Sequence, residues 1–388
     1  MLDEWRRRWR EGRETWKELR RFEALPRSAR RIVFYAETAA DWAHLGPAAA
    51  ALQRRGSRVL RVTSDRRDAV LLQPDAFFVG SGSARTVFFR SVEADTVVMT
   101  LTDLEQFHLK RSAHPVHYFY VFHSMASTHR VYREHAFDAY DSILCVGPHH
   151  FTEIRRMEEV YGLPPKRLLE HGYGRLDTLL AEVRSRGTVE RAGEVPRVLL
   201  APSWGESSMV EHCLDAVIDV LLGAGFHISL RVHPMTARHR PQLTAQLVTR
   251  HAATGRFHFD PDVSTTEALL AADVMISEWS GAPLEFAFAR ERPVIFIDTP
   301  PKIHNPRHDR IALPALEADI RAEIGRIVAL HEIGTLPEIV CELAAEGTEW
   351  GPRIARVRER TVFNIGRSGE VAAEHILGTL QSMRSGDV

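Results

Sequence analysis

The sequence predicts an α/β protein of two parallel-sheet domains preceded by an amphipathic helix. Three observations carry this. Short apolar runs alternate with helix-length stretches along both halves of the chain, the pattern of βαβ units. A polar, Gly-containing stretch without periodicity, residues 185–196, separates the two series. The 388 residues also exceed what one small core organises.

Composition narrows the class. Apolar residues at 44% and charged residues at 26% are those of a globular chain in water, not a disordered one. The net charge of −1 hides an asymmetry: residues 1–31 carry eleven Arg/Lys against six Asp/Glu, or +5, so the remainder sums to −6. No nucleic acid is expected among the partners. Cys145, Cys213 and Cys341 lie far apart without metal-ligand spacing, which points to packed thiols in a reducing compartment. No run of about 18 apolar residues and no secretory signal core is present, so a cytoplasmic protein is expected.

Residues 3–23 read as an amphipathic helix. Trp5, Trp9, Trp16, Leu19 and Phe22 share one face, and Arg6, Arg7, Arg8, Arg10 and Arg13 crowd the others. Two readings stand. Residues 1–24 lie on an anionic membrane surface with tryptophans among the headgroups, or the helix packs on the protein's own body with a solvated basic face. The expected layout is a helix at 1–28, a first α/β domain at 29–186, a second at 187–364, and a C-terminal helix at 365–388 that packs back on the first domain.

In the first domain, strand signals fall at 31–36, 57–63, 76–79, 96–100, 116–122 and 142–147. Helices are expected at 45–54, 151–161 and 177–186. Glu37 stands just past the first strand, where open α/β sheets place ligands, so it either meets a polar acceptor or supports a helix end. His123 stands just past the fifth strand. A neutral imidazole there takes a proton from a hydroxyl near neutral pH, although a chain with 20 histidines has many that do nothing of the kind. His129, His135, His149 and His150 read as surface, helix-contact or supporting residues.

The second domain repeats the alternation. A strand at 197–201 leads into the loop Pro202–Ser208, a helix at 209–222 and a strand at 226–232 that ends at His233-Pro234. Arg231 and His233 flank that strand end, where cations suit a diphosphate. Arg238, His239 and Arg240 read as a solvated helix face. A strand at 274–276 then runs into Ser277, Glu278, Ser280 and Gly281, a helix from Pro283 to Arg290, and a strand at 293–297. Pro283 fits the first helical turn. The turn presents backbone N–H groups and two hydroxyls at a helix N-terminus, a natural anion seat. Glu285, one turn on, is placed to accept ribose hydroxyls. Helices dominate from 301 to 360.

Five motifs in order resemble the CDP-glycerol glycerophosphotransferase family, the teichoic-acid polymerase and primase-like enzymes. They are His123-Ser124-Met125, Gly172-Tyr173-Gly174-Arg175-Leu176-Asp177, Ala201-Pro202-Ser203-Trp204, His233-Pro234, and Ser277-Glu278-Trp279-Ser280-Gly281 followed by Glu285. The resemblance spans most of 32–380. It implies a GT-B-like fold, two Rossmann-like parallel-sheet domains facing across a cleft that holds the site. It implies a CDP-linked polyol donor, with glycerol phosphate the expected group, and a membrane glycolipid or surface-polymer acceptor. The enzyme would then work on the inner face of the membrane. His123 becomes the expected base and His233 a leaving-group residue. Arg231, Ser203, Ser277, Glu278, Ser280, Gly281 and Glu285 fall on the donor side; Glu37 and Ser124 fall on the acceptor side. No cofactor and no fixed metal is expected. The sequence departs from the family pattern at Ser124 (Gly in the pattern), Glu278 (Asp), Trp279 (Tyr) and Gly281 (Ser), and Gly205 stands where an arginine often follows the Trp. These changes leave open a nucleotide-sugar glycosyltransferase, a UDP-sugar 2-epimerase-like enzyme, or a silent nucleotide-binding scaffold.

Overall fold

The structure, a computed structural model, describes residues 2–102, 104–107, 109–186, 195–261 and 265–385. The side chains of Trp5 and Arg6–Arg8 lie outside the described part, and so does most of the stretch expected to separate the domains. The chain forms two compact units. The first is Met1–His123, Tyr132–Asp177 and Val362–Val388; the second is Ser124–Val131 and Thr178–Thr361. No helix among the described residues is long and apolar enough to cross a membrane.

The first unit is built on seven strands: β1 (Ile32–Ala36), β2 (Leu60–Thr63), β3 (Ala76–Phe78), β4 (Thr96–Met99), β5 (His117–Val121), β6 (Ser142–Cys145) and β7 (Arg167–Glu170). They lie in the order β3-β2-β1-β4-β5-β6-β7, all parallel. β1 and β4 to β6 are buried throughout, apart from the half-buried His117, because helices cover both sheet faces. One face packs Phe34, Val98, Phe119 and Leu144 against Leu45, Ala48 and Leu52 of the helix Trp42–Arg54 and Ala372, Ile376 and Leu380 of the last helix, Ser368–Ser385. The first helix, Leu2–Glu23, belongs to this unit too. Leu19 and Phe22 are 1% exposed, and the Phe22 ring meets Phe77 and Phe88 edge-on, each at 5.4 Å. Its C-terminal half is thus core, whereas Trp9 is 54% exposed beneath the Arg13 guanidinium.

The second unit is built on six strands: β8 (Arg197–Leu200), β9 (His227–Leu230), β10 (Phe257–Phe259), β11 (Val274–Ser277), β12 (Val294–Ile297) and β13 (Gly325–Val328). Their order is β10-β9-β8-β11-β12-β13, again all parallel. Sequence reasoning misses β7, β10 and β13. The helix expected at 209–222 is two, Met209–His212 and Leu214–Gly223, because Cys213 leaves helical geometry at φ −158°. Cys341 is exposed, not packed.

Candidate functional site

Everything at the expected anion seat follows from how β11 ends. Ser277 closes the strand, and its hydroxyl donates to the Ala201 carbonyl at 2.6 Å, tying the ends of β8 and β11 together. Glu278 turns inward and is 1% exposed. Its Oε1 accepts the backbone N–H of Ser203 at 2.8 Å and of Met209 at 3.1 Å, so it braces the Pro202–Ser208 loop. Burial raises the Glu278 pKa against those two N–H groups, Ser203 and the Lys302 charge, which pull it down. The turn presents Ser280, half-buried, and Gly281 at the start of the helix Ala282–Arg290, whose N-terminus no side chain caps. Pro283 occupies the first turn, and Glu285 is buried within it.

The structure therefore gives three expected donor residues, Glu278, Arg231 and Ser277, other work. Glu278 is an internal brace rather than a group facing a ligand. Arg231 is 8% exposed and ion-paired with Asp260, its Nε 3.0 Å from Oδ2 and its Nη2 also on that oxygen. A second bond runs from Nη2 to the Thr265 hydroxyl at 3.2 Å. A charge neutralised inside the protein contributes little to an anion outside it. Ser277, spent on Ala201, is likewise structural.

His233 caps the short helix Pro234–His239, its Nδ1 accepting the Met235 N–H at 3.1 Å. An imidazole that accepts at Nδ1 carries its proton on Nε2, which makes the ring a donor toward an oxyanion. The Trp204 indole gathers other groups around it: His233 at 5.9 Å, His304 at 5.1 Å and the Lys302 ammonium at 4.9 Å. Lys302 and His304 were legible only as members of a polar loop. Ser203 beside Trp204 is 1% exposed. A cavity of about 490 Å³ opens next to Trp204, lined by Gly205, Ser208, Met235 and Thr236 among others.

Two departures from the family pattern meet in space. A Cβ built on Gly281 would stand 3.0 Å from the Ser124 hydroxyl, which also accepts the Ala126 N–H at 3.2 Å. Where the pattern has a hydroxyl at the second position, this chain brings one from the other.

In the first unit His123 follows β5, its carbonyl held by the Tyr173 hydroxyl at 3.1 Å. Its ring lies near Tyr132 at 5.6 Å and His44 at 6.4 Å. Crowding by protein lowers the His123 pKa, while Asp41 and the Thr100 carbonyl oppose the drop. The side chain is itself exposed. His44 is pushed well below the ordinary range by burial, with His123 and Arg175 adding to the effect. Both rings are thus neutral at pH 7, and a neutral imidazole at a strand end can accept a proton. Glu37 pairs with Arg85 at 3.0 Å.

With this geometry in hand, comparison with known proteins gives a consistent result. A family described as CDP-Glycerol:Poly(glycerophosphate) glycerophosphotransferase matches residues 83–300, more than half of the chain. No curated protein matches by sequence. Among solved structures, a variant of the wall teichoic acid polymerase TagF superposes with a TM-score of 0.61 at 15% identity, covering 99% of both chains. The UDP-GlcNAc 2-epimerase of Methanocaldococcus jannaschii gives 0.54 at 12% identity, covering 90% of this chain and 99% of that one. A glycosyltransferase of Rickettsia africae gives 0.53 at 12%, covering 90% and 98%. The fold is that of these GT-B-like proteins.

Proposed function

We propose, because this chain belongs to the CDP-glycerol:poly(glycerophosphate) glycerophosphotransferase family and is a transferase, that it moves glycerol phosphate from CDP-glycerol to a hydroxyl of a membrane-associated glycolipid or surface polymer. The acceptor oxygen attacks the glycerol-bearing phosphorus, the P–O bond to CMP breaks, and CMP leaves. His123 takes the acceptor hydroxyl's proton. His233, donating from Nε2, steadies the charge that develops on CMP. Ser280, Gly281 and the N-terminus of the helix Ala282–Arg290 hold the diphosphate. Little covalent chemistry falls to the protein in such a transfer, so positioning and electrostatics carry the rate.

The observation that supports this most is the second unit's turn. Its helix N-terminus is left uncapped while Glu278 fixes the loop that carries Trp204 beside His233. The exposed Trp9–Arg13 surface of the first helix, with Lys17 and Arg20, gives the protein a means of resting on an anionic membrane on the cytoplasmic side.

Replacing His123 with Ala should lower kcat for CMP release by about 10²- to 10⁴-fold, the usual contribution of a general base, and leave CDP-glycerol binding unchanged. A variant with near-wild-type kcat would remove His123 from this role.

A further inference from the structure

One cation of the second unit, Lys302, has no part in the catalytic reading. We propose that Lys302 is a donor-binding residue whose ammonium, held over the Trp204 indole, takes a phosphate of the nucleoside diphosphate donor. The proposal rests on the reading of the second unit as the donor side, and it adds a binding group which that reading does not contain.

The loop after β12 brings Lys302 to Trp204. The Ser207 hydroxyl donates to the Pro301 carbonyl at 3.3 Å, joining this loop to the one that carries Trp204. The Lys302 ammonium then sits 4.9 Å from the indole centre, on a side chain already half-buried. Among the described residues it forms no hydrogen bond and no ion pair within 4 Å. A half-buried cation without a carboxylate partner is costly, because lost hydration is not replaced. The indole face offsets only part of that. Arg231, which follows β9, is instead paired with Asp260. Lys302 therefore holds its charge available beside Trp204, the ring that His233 also approaches. The groups around it agree. Burial brings the Lys302 pKa down to about 8, and the one carboxylate acting on it, Glu278, draws it back up. An arriving phosphate raises it further and secures the proton.

Titration calorimetry on the full-length chain tests this without an acceptor. The probes are CDP-glycerol, CDP, inorganic pyrophosphate and cytidine. Lys302→Met keeps the aliphatic stem on Trp204 and removes the charge; Lys302→Arg keeps the charge. The expected result is a 10- to 100-fold loss of affinity for CDP and pyrophosphate in Lys302→Met, recovery to within about fivefold in Lys302→Arg, and no change for cytidine. Thermal melts of both variants should match wild type; if Lys302→Met melts early, Lys302→Gln takes its place in the same titrations. Equal affinity of wild type and Lys302→Met for CDP and pyrophosphate overturns the proposal, as does a wild type that binds neither. Lys302-dependent binding of pyrophosphate and of UDP- or GDP-linked donors, with none of CDP-glycerol, upholds Lys302 and overturns the CDP-glycerol reading instead.

Discussion

Glu278, Gly281 and Lys302 show what spacing reveals and what it hides. Spacing places Glu278 at a strand end, where ligands gather, but not the direction of its side chain; folding turns it inward onto two backbone N–H groups. Lys302 lies 98 residues from Trp204 in sequence, so no local pattern announces their contact. The physical difference yields predictions. Glu278→Gln keeps an acceptor for both N–H groups and should fold with stability near wild type, whereas Glu278→Ala leaves two buried donors unpaired and should cost about 2–5 kcal/mol in urea unfolding. The raised Glu278 pKa means that folding takes up a proton at pH values above the ordinary glutamate pKa. Stability should fall as pH rises through that window, and the Gln variant should lose this slope. Gly281→Ala pushes on the Ser124 hydroxyl and should cost about 1 kcal/mol, with the loss relieved in the double variant carrying Ser124→Gly. A Gly281→Ala protein as stable as wild type, or one that Ser124→Gly does not rescue, would show the contact to be slack. Donor affinity should weaken as pH rises through about 8, as Lys302 loses its proton beside Glu278, His233 and His304; Lys302→Met should be flat there.

At the scale of elements, every central strand is legible in the sequence, and the missed strands share a cause. β7, β10 and β13 are all edge strands. A central strand in a parallel sheet is covered on both faces and reads as a continuous apolar run. An edge strand is short and carries polar residues, as in Arg167–Glu170, Phe257–Phe259 and Gly325–Val328, so composition does not mark it. The first helix was legible as amphipathic, but its period does not say what covers the apolar face. The structure divides that face: Leu19 and Phe22 are core, and Trp9 is not. Phe22→Ala should cost about 3–5 kcal/mol by deleting a buried aromatic ring. Trp9→Ala should leave the melting temperature unchanged while weakening sedimentation with anionic liposomes. If liposome binding persists in Trp9→Ala combined with Arg13→Glu, the membrane role fails. Deleting residues 1–24 does not separate the two effects, because it also removes core.

At the scale of the molecule, the chain after Thr361 rejoins the first unit. Gly172, at φ +101°, permits the approach: a Cβ there would lie 2.4 Å from the Phe363 carbonyl. Asp177 then accepts the N–H of Gly366 at 2.6 Å and of Ser368 at 2.8 Å, fixing the start of the last helix. The Gly172–Asp177 motif thus has a structural task within the first unit, which its sequence gave no means of separating from a catalytic one. Asp177→Ala should cost about 1–2 kcal/mol, the usual loss of a helix cap, with donor binding intact. Transfer of glycerol phosphate from CDP-glycerol is the reaction proposed for the whole molecule. Its most direct test incubates the purified protein with glycerol-labelled CDP-glycerol and acceptor membranes, following CMP release and transfer of label, with UDP- and GDP-sugars in parallel. CMP release coupled to labelled product, and lost in His123→Ala, is the expected result. Turnover of UDP- or GDP-sugars alone, with CDP-glycerol left intact, would contradict it.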